Sequence, residues 1–134
     1  AGSAARHALA LGLAQLGREA LEKALAAEWT PALVALYADL PEVLEGAGRV
    51  EEARARIERA ERWLLEHEGD AQLLAALGRL CAHAELWGKA QSYLETSLAF
   101  GETSATHLAL ARLLDRLERG AEAQPHYRRA AELA

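Results

Sequence analysis

Apolar residues follow a helical period through the middle of the chain. In residues 50–66 they recur every three or four positions, at Val50, Ala53, Ile57, Ala60 and Leu64. This spacing places one apolar stripe along a helix of about 3.6 residues per turn. The opposite face carries two Glu–Arg pairs at four-residue spacing, Glu52 with Arg56 and Glu58 with Arg62. We expect both pairs to lie in solvent on that helix.

Shorter apolar segments precede this helix. The small and large residues Gly17, Leu21, Ala24 and Leu25 alternate as they would on a helix that packs closely against another. Residues 32–40 predict the next helix, with Thr30 as its N-cap and Pro31 as its first residue. Pro41 is expected to end that helix, and residues 42–49 to form a glycine-containing loop.

The second half of the chain repeats itself. When residues 71–100 are shifted forward by 33 positions, seven residues fall on identical ones: Ala76, Leu77, Arg79, Leu80, Glu85, Ala90 and Gln91 fall on Ala109, Leu110, Arg112, Leu113, Glu118, Ala123 and Gln124. Each unit predicts two helices joined by a tight turn, over 71–83 and 88–98 and then over 105–116 and 121–133. A helix pair repeated at about this period is typical of tetratricopeptide arrays.

The small residues in the repeat have a packing role in this interpretation. Gly78 and Ala90 would let the two helices of a unit approach closely, while Ser97 would lie where one unit contacts the next. The predicted fold is therefore all-α, a right-handed α-solenoid of tetratricopeptide-like antiparallel helix pairs. We expect residues 1–134 to form a single domain, with degenerate pairs in 1–70 and regular units in 71–103 and 104–134.

Composition excludes several classes of function. The 134 residues are 51% hydrophobic and carry a net charge of −5, which disfavours general nucleic-acid binding. A single cysteine, Cys81, cannot form an internal disulfide or a cysteine-based zinc cluster. No apolar run reaches the ~20 residues of a membrane-spanning helix. Methionine is absent even at position 1, so we expect the chain to be a fragment of a longer protein.

No pattern of catalytic residues is found. The sequence lacks a Gly-x-Gly-x-x-Gly run, a phosphate loop, a His-Glu-x-x-His pair and a nucleophile elbow. We therefore predict no enzymatic activity, no catalytic residue, no metal site and no obligatory cofactor. Cys81 is interpreted as a buried small hydrophobe rather than a haem-thiolate ligand. Trp63 and Trp87 are interpreted as packing residues, and His83 as a groove or surface residue, with axial haem ligation as its alternative.

A basic strip is predicted on the first helices of the two regular units. Arg79 and Arg112 lie 33 positions apart, and His83 and Arg116 follow each of them by one helical turn. In tetratricopeptide arrays these helices line the concave groove, and the neighbouring residues Gln72, Ala75 and Leu108 would border the strip. Such arginines could bind carboxylates of a partner protein through paired N–H donors. Alternatively, they form structural ion pairs with Asp115 or with a carboxylate of another helix.

Several runs together resemble one family. The strongest are 77–81 (Leu-Gly-Arg-Leu-Cys) and 86–95 (Leu-Trp-Gly-Lys-Ala-Gln-Ser-Tyr-Leu-Glu), supported by 36–41 and 60–64. They resemble the C-terminal tetratricopeptide domain of HemY proteins, over residues 20–133. The resemblance implies a bacterial inner-membrane protein, anchored by N-terminal helices that precede this sequence, with this domain on the cytoplasmic side. It also implies a link to late haem or tetrapyrrole biosynthesis.

Two functions remain open at this point. The first is a protein–protein interaction scaffold that assists or regulates haem-pathway enzymes. The second is a haem- or porphyrin-binding carrier, with the arginines on the propionates and His83 near the iron.

Overall fold

The computed structural model describes residues 2–39 and 44–134, and all regular structure in these ranges is helical. The helices in these ranges are α1 (Gly2–Ala27), α2 (Pro31–Tyr37), α3 (Gly46–Leu64), α4 (Ala71–His83), α5 (Trp87–Phe100), α6 (Ser104–Arg116) and α7 (Gly120–Leu133). Helices α4 and α5 pack as one pair and α6 and α7 as the next, while α4 also packs on α2 and α3. The all-helical solenoid of tetratricopeptide-like pairs is confirmed.

Short polar side chains begin three of these helices. The Thr30 hydroxyl accepts a hydrogen bond from Leu33 N at 3.2 Å, and Pro31 is the first residue of α2, as predicted. Asp70 caps α4 in the same way, with its carboxylate 3.1 Å from Leu73 N. Thr103 caps α6 through Thr106 N. Each cap satisfies an N–H that has no partner inside its helix.

The turns inside the two regular pairs are the same structure used twice. Glu85 and Glu118, 33 residues apart, both adopt left-handed backbone with φ of 61° and 60°. In each turn an N–H reaches back to a carbonyl in the preceding helix, Leu86 N to Cys81 O and Arg119 N to Leu114 O, both at 2.8 Å. This bond closes a Schellman motif, which ends a helix and reverses the chain. The 33-residue period of the sequence is thus also the period of the backbone.

Gly78 lies at a close contact between α4 and α5. A Cβ atom built on Gly78 would lie 2.5 Å from Leu94 Cγ and 3.3 Å from Ala90 O. Ala90 is fully buried on the facing helix, and Ser97 is buried further along it. The Ser97 hydroxyl donates to Ala71 O at 2.7 Å. The predicted close approach of α4 and α5 at Gly78 and Ala90 is confirmed, whereas the Ser97 hydroxyl bonds within its own unit, so its role between units stays a prediction.

The N-terminal half departs from the predicted boundaries. Helix α1 is a single helix of 26 residues that contains the predicted segment and extends far upstream of it. Helix α3 begins at Gly46, so the predicted loop over 42–49 is wrong in its second half. Pro41 and the start of that loop lie outside the described residues. Trp63 of α3 packs edge-on against the rings of Trp29 and Tyr37, which confirms its packing role.

The pair Glu52–Arg56 is buried, and the prediction that it lies in solvent is wrong. Both side chains are only about 2–3% exposed, and Arg56 Nε lies 3.0 Å from Glu52 Oε2. Arg56 also donates to Tyr37 O at 2.7 Å and to Ala14 O at 3.0 Å. Arg18 of α1 provides a second cation for Glu52 at 2.9 Å. These contacts join α1, the end of α2 and α3, whereas the pair Glu58 and Arg62 is exposed as expected.

Candidate functional site

The four predicted site residues line one pocket on the face formed by α4 and α6. Arg79 and His83 come from α4, and Arg112 and Arg116 come from α6. The pocket has a volume of about 400 Å³, and its walls include Val50, Trp87, Leu94 and Leu113. The repeat period placed these side chains together because α4 and α6 occupy equivalent positions in successive pairs.

Arg49 is a further basic residue of this pocket, and no pattern in the sequence identified it. It lies in the first turn of α3, and its Nε donates to Leu44 O at 2.8 Å. No repeat relates α3 to α4 or α6. The 33-residue period that placed the other arginines on one face therefore could not predict the position of Arg49. The acidic Glu85 also lines the pocket.

Arg79 is already engaged within the protein. Its Nη2 forms an ion pair with Asp39, which follows α2, and its Nη1 donates to Ala35 O at 3.4 Å. The alternative interpretation, an ion pair with a carboxylate from another helical segment, therefore describes Arg79. Both partners are partly exposed, which makes the pair a weak source of stability.

Arg112 differs from its repeat equivalent. It is exposed, and it makes no hydrogen bond or ion pair with any residue in 2–39 or 44–134. Asp115, the partner considered from the sequence, instead accepts a hydrogen bond from the Tyr127 hydroxyl at 2.6 Å. The N–H donors of Arg112 are therefore not committed to a protein carboxylate in the described structure.

Arg116 lies over an aromatic ring at the other end of the pocket. Its guanidinium carbon is 5.0 Å from the centroid of Trp87, within the range of a cation–π contact. A guanidinium stacked in this way keeps the N–H donors at its edge available. Trp87 therefore contributes to the pocket wall, in addition to its half-buried position beside the core.

His83 is half-buried in the same pocket. Burial is the main cause that lowers its pKa below the ordinary value of 6.5, and the charges of Arg49 and Arg79 lower it further. Its imidazole is therefore neutral at pH 7, which is the form that can accept a hydrogen bond or bind a metal ion.

A second pocket continues the first along α4 and α6. It has a volume of about 390 Å³ and shares Arg79, Leu94, Ala109 and Arg112 with the first pocket. Its walls include Gln72, Ala75 and Leu108, the residues that the sequence placed beside the strip. The two pockets together form one concave groove.

Cys81 lies outside this groove. It is fully buried, and burial raises the pKa of its thiol to about 11, which keeps it protonated. The interpretation as a buried small hydrophobe is confirmed. The described residues contain no group of three or more His, Cys, Asp or Glu side chains arranged to hold a metal ion. Within the same residues, no helix has both the length and the apolar character needed to cross a membrane.

Comparison with known proteins supports the fold. No protein-family model matches the chain, and no curated protein matches it. Among solved structures, the chain is similar to MamA MSR-1 C2, a tetratricopeptide-type protein, with a TM-score of 0.61 and 17% sequence identity. The match covers 91% of this chain and 68% of that chain. At this identity the likeness shows a shared tetratricopeptide-like fold.

Proposed function

We propose that this domain is a protein-binding scaffold whose concave groove binds an acidic segment of a partner protein. The observation that carries the proposal is the state of Arg112 and Arg116. Both line the groove and are exposed, and neither is paired with a carboxylate in the described part of the chain. Arginine side chains bind carboxylates through two parallel N–H donors, which gives both orientation and charge-assisted strength.

The surroundings strengthen this attraction. The chain as a whole carries a net charge of −5, so an acidic partner is repelled by most of the surface and attracted to the groove. Leu94 and Leu113 form apolar walls beside the guanidinium groups. Partial exclusion of water there strengthens each ionic contact relative to the open surface.

The test changes Arg112 and Arg116 together to alanine. Arg79 is unsuitable as the first target because its guanidinium is already paired with Asp39, a carboxylate that competes with the peptide. We expect the double variant to keep its melting temperature and to bind a fluorescein-labelled Asp/Glu-rich peptide at least 10-fold more weakly. The control is Arg128→Ala, which removes an exposed arginine of α7 that does not line the groove.

Two outcomes would contradict the proposal. Unchanged peptide affinity in the double variant would show that the groove arginines do not bind the segment. Equal losses in the double variant and in Arg128→Ala would show that the peptide responds to overall charge only.

A finer assignment is part of the same proposal. The runs at 77–81 and 86–95 support a HemY-like protein that is anchored in a bacterial inner membrane and faces the cytoplasm. Its partners would then be enzymes of late haem biosynthesis. Protease protection in inverted vesicles tests the orientation, and co-purification of those enzymes with the full-length protein tests the partners. Loss of co-purification in the Arg112/Arg116 variant would connect the groove to the pathway.

His83 favours a second candidate function, a tetrapyrrole carrier. A neutral imidazole lies in the same pocket as four arginines and Trp87, which is suitable for an iron porphyrin with two propionates. Haemin added to the protein would then shift its Soret band, and the shift would be lost in His83→Ala. The control is His7→Ala, which changes an exposed histidine of α1. A Soret shift that both variants retain would contradict this candidate.

A further inference from the structure

The two pockets of the groove differ in charge. Arg79 and Arg112 lie at their junction, since both residues line both pockets. Beyond the junction, the first pocket adds two arginines, Arg49 and Arg116, together with His83 and one acidic residue, Glu85, and we call this part the basic half. Beyond the same junction, the second pocket adds only uncharged residues among those described, including Gln72, Ala75 and Leu108, and we call this part, without Arg79 and Arg112, the neutral half.

The residues of the neutral half provide no cation for a carboxylate of a bound segment. The Thr103 hydroxyl is used to cap α6, where it accepts from Thr106 N at 3.1 Å. The Gln72 amide makes no hydrogen bond with residues in 2–39 or 44–134, so it is available to form hydrogen bonds with the backbone of a bound peptide. Ala75 is buried and forms part of the floor, with Leu108 beside it. A carboxylate placed there would lose water without gaining a cation, which is unfavourable.

The length of the groove sets the size of its occupant. Along α4, eleven residue steps separate Gln72 in the neutral half from His83 in the basic half. A helix rises about 1.5 Å per residue, so this distance is about 16 Å. An extended chain advances about 3.3 Å per residue, and about five residues therefore cover both halves.

We propose that the groove selects a five-residue extended segment of two parts, with acidic side chains in the basic half and small uncharged side chains in the neutral half. This inference rests on the proposed function and adds the order of residue types to it. A uniformly acidic segment leaves carboxylates without partners in the neutral half. A segment with interleaved acidic residues does the same and also places uncharged side chains against Arg112 and Arg116.

The test uses peptides of matched composition with a fluorescein label. The block peptide is Asp-Glu-Asp-Ala-Val, measured also in the reverse order because the direction of the chain in the groove is free. The interleaved peptide is Asp-Ala-Glu-Val-Asp. We expect the tighter of the two block peptides to bind the full chain at least 5-fold more tightly than the interleaved peptide, by fluorescence anisotropy.

A matched pair of variants tests the role of the neutral half. Gln72→Arg places a guanidinium there and is expected to remove the preference for the block peptide. Gln124→Arg adds the same charge at an exposed position of α7 and is expected to keep the preference.

The outcomes separate the two proposals. If every peptide binds, loses affinity in Arg112→Ala and shows no preference for the block order, this inference is overturned and the proposed function stands. The inference is also overturned if Gln72→Arg and Gln124→Arg change the preference equally. If no peptide binds wild-type protein, the proposed function itself fails.

Discussion

Arg79 and Arg112 are the same residue at equivalent positions of the repeat, yet they have different neighbours. Asp39 reaches Arg79 because α2 precedes α4 in the solenoid, and Arg112 has no equivalent partner in the described ranges. An intramolecular carboxylate on Arg79 competes with any carboxylate that enters the groove. Arg112 is thus more available than Arg79 to bind a carboxylate of a partner, although the repeat in the sequence does not distinguish the two arginines.

Asp39→Asn is expected to increase affinity for acidic peptides by about 2- to 5-fold. The ion pair is partly exposed, and such pairs contribute at most about 1 kcal/mol, which limits the gain. Fluorescence anisotropy with the block peptide measures it. The same substitution in an Arg79→Gln background is the control, and it should leave affinity unchanged. A gain that persists without Arg79 would show that Asp39 acts by general repulsion.

Gly78→Ala is expected to lower the free energy of unfolding by about 1–3 kcal/mol. The new Cβ would lie 2.5 Å from Leu94 Cγ, and this crowding outweighs the gain of up to ~1 kcal/mol in helix propensity. The control is Gly12→Ala in α1, where a Cβ meets no atom within 4 Å. This variant should raise the free energy of unfolding slightly, because alanine favours the helix more than glycine does. Urea denaturation measures both. Equal stabilisation of the two variants would show that α4 and α5 are not packed closely at Gly78.

At the scale of helices, one buried cation organises the N-terminal half. Arg56 connects α3 to carbonyls of α1 and α2, and Glu52 holds both Arg56 and Arg18. The ring of Tyr37 lies 5.2 Å from the Arg56 guanidinium carbon and adds a cation–π contact. A polar network therefore joins these irregular helices. In the regular pairs, by contrast, small residues allow the two helices to pack closely against each other.

Arg56→Met is expected to reduce the free energy of unfolding by about 3–5 kcal/mol, because it leaves buried acceptors without their donor. Thermal or urea unfolding measures the loss. Arg62→Met, on the exposed face of the same helix, should change stability by no more than ~0.5 kcal/mol. Adding Glu52→Leu to Arg56→Met should recover part of the loss, since it removes the stranded carboxylate. Similar values for Arg56→Met and Arg62→Met would contradict a structural role for the network.

The two halves of the chain also differ in how far sequence predicts them. The helices of 71–133 were predictable because each pair is a local unit, and the shared residues such as Leu77 and Leu110 occupy equivalent buried positions. The burial of Arg56 was not predictable, because Glu-x-x-x-Arg has the same local pattern on a surface as in a core. Its environment depends on carbonyls 19 and 42 residues away.

The same distinction applies to the groove at the scale of the whole molecule. The period alone predicted that Arg79, His83, Arg112 and Arg116 share one face, since equivalent helices stack side by side. Arg49 and Asp39 modify the charge of that face and come from outside the regular units. The positions of Arg49 and Asp39 beside the groove depend on how the irregular N-terminal helices pack on α4. No residue spacing in the sequence predicts this packing.

The whole molecule is expected to lose stability as the pH falls below about 6.5. Burial is the main cause that lowers the pKa of both His83 and His126. The charges of Arg49 and Arg79 lower the pKa of His83 further, and the electrostatic interaction with the His107 ring lowers that of His126. In the unfolded chain these histidines take up protons near their ordinary pKa of 6.5. The unfolded state then binds more protons than the folded state, so protonation favours unfolding in this range.

Melting temperatures measured from pH 8 to pH 5 test this expectation. The melting temperature of the wild-type protein should be constant above about pH 7 and should fall below pH 6.5, because each histidine contributes stability only while it is neutral. His83→Gln and His126→Gln should each reduce the slope of the fall, and His7→Gln, at an exposed position of α1, should leave it unchanged. Glu102 stays ionised in this range, since hydrogen bonds from Arg129 and His107 lower its pKa to about 2. A wild-type melting temperature that is constant down to pH 5 would contradict the lowered pKa of both half-buried imidazoles. A slope that changes as much in His7→Gln as in the other two variants would assign the fall to overall charge rather than to the two half-buried rings.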